Sequence, residues 1–136
     1  MGGIFLIEDE AAMRKLGASL AGALTPGEVV LLFGDLGAGK TTFVRGYLEA
    51  AGWTEPVRSP TFNLIQLYPL DPPILHADLY RVATAVGLGL EDYIDDHISF
   101  VEWPQRLEGF LNLSECWRVD IQFSDGGRIV EISAPK

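Results

Sequence analysis

The 136-residue sequence predicts an α/β domain built on a mixed, partly parallel sheet. Three observations carry that prediction. Five consecutive apolar residues, Val29–Phe33, have no polar alternation, the pattern of a strand buried on both faces in a parallel sheet. They run straight into a glycine-rich turn and then a helical repeat, the strand–loop–helix order of an α/β unit. Short apolar runs separated by Gly and Pro follow, and Ser124-Asp125-Gly126-Gly127 between the last two is a hairpin signal that adds antiparallel partners.

Each element has its own local reason. A short strand is expected over residues 4–7. Asp9 can then cap a helix whose Ala12, Leu16, Leu20 and Leu24 recur at four-residue steps and face a core, until Pro26 and Gly27 break it. Residues 28–33 form the buried strand, which Gly34 ends. Residues 40–51 read as a helix with Phe43, Tyr47 and Leu48 on one side and Gly52 past its end. Residues 62–68 and 74–79 flank Pro69-Leu70-Asp71-Pro72-Pro73, so they are expected as an antiparallel pair joined by a stiff turn. Residues 83–89 are small and Gly-interrupted, and 90–94 read as a helical turn. A short buried strand over 97–101 and strands over 117–123 and 128–133 complete the sheet.

Composition bounds the function. Hydrophobic residues make up 48% and charged residues 21%, enough for a globular core and unlike a disordered chain. No internal repeat or linker divides the chain, so residues 1–136 are expected as a single domain. No apolar run approaches the roughly 18 residues of a membrane span, which excludes a membrane protein. The acidic cluster Glu8-Asp9-Glu10 stands where a secretory signal needs basic and longer apolar parts, so the chain is expected in the cytoplasm. The lone Cys116 allows neither an intrachain disulfide nor a Cys-rich metal site. Nineteen acids against ten bases give a net charge of −9, a field that repels phosphate backbones; any anionic ligand has to be captured locally.

Such a local trap is present. Gly34-Asp35-Leu36-Gly37-Ala38-Gly39-Lys40-Thr41 fits G-x-x-x-x-G-K-[ST] residue for residue, between the buried strand and the helix, so the domain is expected to be P-loop NTPase-like. Glycines let the loop curl until successive backbone N–H groups converge on a phosphate, and the following helix adds its positive N-terminus. Lys40 then reaches the β- and γ-phosphates while the Thr41 hydroxyl can sit on Mg²⁺. Asp35, Gly37, Ala38, Gly39 and Thr42 complete the expected phosphate cradle.

Such a loop also needs an acid for the metal. Asp78 and Glu102 compete for this role, each at the carboxyl end of a short strand; both face the loop if those strands run parallel to Val29–Phe33. The chain order, with Thr61 in Arg58-Ser59-Pro60-Thr61 ahead of the strand pair, parallels switch-containing GTPases and makes Thr61 a γ-phosphate-sensing candidate, equally well explained as a turn entering a strand. No Asn-Lys-x-Asp guanine element occurs, which favours ATP. Arg45, Arg58, Arg81 and Arg128 are possible phosphate or partner contacts, and each reads more often as a surface residue. His76 and His97 are too far apart to argue for a metal pair, and Trp103 reads as core packing or as the wall of a pocket.

The segments Gly34-Asp35-Leu36-Gly37-Ala38-Gly39-Lys40-Thr41-Thr42-Phe43-Val44-Arg45-Gly46, Ser59-Pro60-Thr61-Phe62, His76-Ala77-Asp78-Leu79-Tyr80-Arg81 and Val101-Glu102-Trp103-Pro104 together resemble the bacterial TsaE (YjeE) family over about residues 7–130. The resemblance implies a Mg-dependent ATPase, slow alone, that works with the TsaD and TsaB proteins to install threonylcarbamoyladenosine in tRNA and meets tRNA only through that complex. It implies Thr41 and Glu102 as Mg²⁺ ligands, ranks Glu102 above Asp78 in that role and leaves Asp78 to act behind the metal's ligands or in orienting water, and puts the nucleotide base near Asp9 and Glu10. Family members usually carry an acidic pair after Asp-Leu-Tyr-Arg, where this chain has a shorter, neutral 82–90 segment. A small-molecule kinase and a nucleotide-gated binding module without turnover are the alternatives.

Overall fold

The strands and helices follow as β1 (Gly3–Ile7), α1 (Glu10–Ala18), β2 (Val29–Phe33), α2 (Lys40–Ala50), β3 (Ile65–Tyr68), β4 (Ile74–Asp78), β5 (Ile98–Glu102), β6 (Trp117–Ser124) and β7 (Gly127–Ser133). They come from a computed structural model that describes residues 2–57, 64–83, 85, 87–107 and 109–136. The strands form a seven-stranded sheet in the order β1-β7-β6-β2-β5-β4-β3. β2 lies parallel to β5 and β6, and β4 parallel to β5, whereas β1, β3 and β7 join antiparallel.

The apolar run of β2 is explained by cover on both sides. Val30 and Leu32 belong to a core with Leu16, Phe43, Val44 and Leu48 of the two helices. Val29 and Leu31 belong to a second core with Leu75, Ala77, Leu79, Leu90 and Leu107, built from β4 and the irregular segments beyond it. Burying so many side chains at about 1.5–3 kcal/mol each is what offsets the chain's lost entropy. β6, parallel to β2 and antiparallel to β7, alternates instead: Trp117, Val119 and Ile121 are buried, Arg118 and Gln122 exposed, as for a strand with one wet face.

α1 and α2 pack on one face of the sheet through two glycines. A Cβ on Gly17 would lie 2.0 Å from the Phe43 carbonyl oxygen, and one on Gly46 would lie 1.9 Å from that of Arg14. The helices meet backbone to backbone, and no other residue fits there.

Most expected elements are present with shifts of a residue or two. The first helix is the exception. Asp9 caps it as expected, its Oδ1 accepting from the Ala12 N–H at 2.8 Å. It nevertheless ends at Ala18, well before Pro26. The Ser19 hydroxyl donates to the Leu16 carbonyl, the amides of Leu20, Ala21 and Ala23 bond three residues back, and Gly22 turns at φ 84°. Leu20 and Leu24 still reach the core, so burial survives where helical geometry does not. Leu90–Asp92 is a short 3₁₀ turn, and two further 3₁₀ turns, Pro104–Leu107 and Leu113–Glu115, had no sequence signal. Residues 58–63, and with them Thr61 and the start of the expected 62–68 strand, lie outside the described residues.

Candidate nucleotide site

The loop between β2 and α2 has the curl that its glycines allow. Gly37 and Gly39 sit at φ 79° and 114°, a region closed to most side chains, and the Ala38 N–H closes a turn on the Asp35 carbonyl at 3.1 Å. Gly39 caps α2 without a side-chain hydrogen bond, leaving the positive helix end to an incoming anion.

Because β2, β5 and β4 run parallel, their carboxyl ends gather beside this loop. Asp78 and Glu102 are register neighbours, and Leu32 of β2 is the next residue across. Both acids lie on the helix-covered face, as does His76, two residues before Asp78 on the same strand. Glu102 is 4% exposed, and one of its oxygens, Oε2, accepts two hydrogen bonds: from Thr41 Oγ1 at 2.9 Å and from His76 Nε2 at 2.6 Å. His76 is fully buried, and its Nδ1 has no partner among the described residues. Lys40, 5% exposed, donates to the Gly34 carbonyl and lies over the Trp103 ring, 4.1 Å from its centroid. Trp103 itself stands at φ 58°, a left-handed conformation costing roughly 1–3 kcal/mol in a bulky residue, and it stacks against Tyr80.

The electrostatics follow from burial and neighbours. Desolvation pushes the Lys40 ammonium below its ordinary range, and the carboxylates of Glu102, Asp78 and Asp35 oppose that shift. Desolvation likewise raises Asp78, helped by the charge on Glu102 and opposed by the Tyr80 N–H, which donates to Asp78 Oδ1 at 3.1 Å. A half-buried carboxyl with raised proton affinity beside a deep acid and a lysine is a recurring property of reacting sites.

Two cavities open on either side of the loop, sharing Gly37, Gly39 and Thr42. One, of about 270 Å³, is lined by Lys40, Thr41, Asp78, Glu102 and Trp103. The other, of about 360 Å³, is walled by Asp9, Glu10 and Met13 of the α1 end and by Ala38 and Arg128. The first has the groups for phosphates and a cation. A hydroxyl and a carboxylate are the hard oxygen donors that Mg²⁺ takes together with water and phosphate oxygens. Among the described residues no cluster of three or more His, Cys, Asp or Glu makes a cage of protein ligands alone. The second cavity has the apolar and polar mixture that suits a nucleoside.

Lys40, Thr41, Thr42, Asp78 and Glu102 thus converge, with Gly37 and Gly39 between the two cavities and Ala38 on the second. Glu10 reaches the second cavity's rim, where Arg45 pairs with it at 3.1 Å. Asp35 is exposed on the loop's outer turn and lines neither cavity. Thr61 is outside the described residues. His97 lies elsewhere, against Asp96 and the Tyr93 carbonyl. Arg128 was one of four arginines named as possible phosphate or partner contacts; His76 was not selected from sequence, although reading Ile74, His76 and Asp78 as one face of a strand would have found it.

The family model for the threonylcarbamoyl adenosine biosynthesis protein TsaE matches residues 7–130. The chain is 37% identical to the tRNA threonylcarbamoyladenosine biosynthesis protein TsaE of Haemophilus influenzae, over 94% of this chain and 87% of that one. It is 44% identical to the protein of that name from Nostoc sp., over 76% and 68%. Its architecture is similar to the crystal structure of Bacillus subtilis YdiB, with a TM-score of 0.85 over all of this chain and 87% of that one, at 30% identity.

Proposed function

We propose, from the premise that this chain belongs to the TsaE family, that it binds and hydrolyses Mg–ATP in the service of threonylcarbamoyladenosine formation in tRNA, together with the TsaD and TsaB proteins. The observation that carries this reading is the hydrogen bond from Thr41 Oγ1 to Glu102 Oε2, 2.9 Å, at the foot of the phosphate loop. It couples a loop hydroxyl to a buried acid, the pair from which P-loop proteins hold a nucleotide's metal.

In this reading the loop amides and the α2 N-terminus hold the β-phosphate. Lys40 leaves the Gly34 carbonyl and the Trp103 face for the β–γ bridge, where its charge is worth most as the bond breaks. Thr41 and Glu102 would hold Mg²⁺, which would supply charge neutralisation to the phosphates. His76 keeps the shared Glu102 oxygen aimed at Thr41. Asp78, raised by burial and a short step from Glu102 across the strand register, orients the attacking water. Thr61 takes the γ-phosphate-sensing role on sequence alone. The adenosine half occupies the cavity beside Asp9, Glu10 and Met13. The net charge of −9 then poses no obstacle, since short-range N–H groups do the capturing, and tRNA is met only through the partners.

The test is ATP turnover by the chain alone and with TsaD and TsaB, comparing wild type with Lys40→Ala. Turnover is expected to rise with the partners and to vanish with Lys40. An unchanged rate in Lys40→Ala refutes the site, phosphate appearing on a metabolite instead of in solution favours a kinase, and tight binding without turnover in the full complex favours a gated binding module.

A further inference from the structure

Arg128 stands at the start of β7, next to the two-residue hairpin turn, and its guanidinium is spent entirely on main-chain oxygens. Nε donates to the Ala38 carbonyl at 3.0 Å, one terminal nitrogen to the Gly37 carbonyl at 3.3 Å, and the other to the Gly127 carbonyl at 3.0 Å. Phe123, its direct cross-strand neighbour, lies beneath it with the ring centroid 4.3 Å away. No carboxylate pairs with it among the described residues. Its charge is directed at the back of the phosphate loop.

A peptide unit is planar and trans, so its carbonyl and the next residue's N–H point in opposite directions. Holding the Ala38 carbonyl outward turns the Gly39 N–H inward, while holding the Gly37 carbonyl steadies the peptide whose Ala38 N–H closes the turn on Asp35. Two glycines at positive φ let this loop's peptide planes rotate, and the turn on Asp35 secures only the Gly37–Ala38 plane, so Arg128 supplies the hold on the Ala38–Gly39 plane. A cation on a carbonyl also polarises that peptide and strengthens its N–H as a donor.

We infer that Arg128 is the positioning residue of the phosphate loop: from β7 it fixes the Gly37–Gly39 peptides so that the Gly39 amide faces an incoming phosphate. This rests on the nucleotide site proposed above. It assigns the last hairpin a part in ligand affinity, and it requires a fork, since a lysine's single ammonium cannot reproduce the paired bonds to Ala38 and Gly37.

The experiment measures binding of ATP and of inorganic pyrophosphate, a probe with no nucleoside, by calorimetry on the full chain. In Arg128→Met, which keeps an apolar stem over Phe123, both ligands are expected to weaken by a similar factor, on the order of tenfold for lost charge-assisted bonds. Arg128→Lys is expected to stay weakened. Phe123→Ala, which removes the ring under the guanidinium and leaves the loop untouched, is expected to fall between; it keeps the question open to measurement should Arg128→Met not fold. Weakened ATP with unchanged pyrophosphate overturns the inference, placing Arg128 on the nucleoside instead. Full affinity in Arg128→Lys, or in Arg128→Met, overturns it as well. A wild-type chain that binds neither ligand refutes the nucleotide site, whereas normal wild-type binding with normal variants refutes the brace alone.

Discussion

Gly17→Ala is the sharpest test of how the two helices hold the site. The added methyl would stand 2.0 Å from the Phe43 carbonyl oxygen, so α1 and α2 have to separate by about 1.4 Å to reach the 3.4 Å of an ordinary contact. Alanine's better helix propensity returns about 1 kcal/mol. The collision is with backbone, which cannot swing aside as a side chain can, and overpacking of this kind costs about 3 kcal/mol. The net expectation is a loss of about 2 kcal/mol, or a urea midpoint lower by about 1 M for a slope near 2 kcal/mol/M. Far-UV circular dichroism against urea reads this directly. The displacement should also open the cavity between Met13 and the loop, weakening ATP more than pyrophosphate. A midpoint equal to or above wild type would show that propensity wins, and that the helices are not in backbone contact.

Three further outcomes are expected. Burial would raise the Glu28 carboxyl, but hydrogen bonds from Trp117 Nε1 at 2.7 Å and from Thr25 outweigh it and hold it below 4.5; its contribution is therefore complete above pH 4.5 and lost as the pH falls through the lower folded value, and denaturation of Glu28→Gln at pH 7 and pH 3 should show the difference from wild type shrinking with acid. In Glu102→Gln the gain in ATP affinity on adding Mg²⁺ should fall on the order of tenfold while metal-free binding changes little, read by calorimetry with and without magnesium; equal loss in both conditions would assign Glu102 to packing. Association with TsaD and TsaB should weaken as salt rises if the acidic surface meets a basic face, and salt-independent binding measured by surface plasmon resonance would remove that part of the reading.

What the sequence could reveal divides along physical lines. β2, the phosphate loop and α2 are local features, since apolar run, glycines and helical repeat lie within 22 residues, and each reads correctly without knowledge of the rest. The carboxyl-end placement of Asp78 and Glu102 followed from requiring parallel strands, and β4 and β5 are parallel to β2 in sequence-distant register. The early end of α1 did not follow, because Leu20 and Leu24 keep their burial while the backbone tightens at Ser19 and turns at Gly22, and periodicity registers only the burial. His76 was missed because a lone histidine has no local partner; its meaning is a carboxylate 26 positions away. Arg128 was one of several unremarkable arginines until the hairpin carried it across the sheet.

The distance along the chain between Arg128 and the loop it supports has a consequence for how the molecule is made and kept. Gly37 and Ala38 leave the ribosome some 90 residues before the side chain that holds their carbonyls. A nascent chain with the phosphate motif complete is still without this support, and on the proposed brace its nucleotide affinity would reach the full value only once the last hairpin has docked. The coupling also runs in reverse. Ligand bound at a hundred times its dissociation constant stabilises the folded state by about 2.7 kcal/mol, and because loop and hairpin are joined, that energy protects the distal β6–β7 ribbon as well as the site. Nucleotide supply would then set how long the whole chain survives proteolysis.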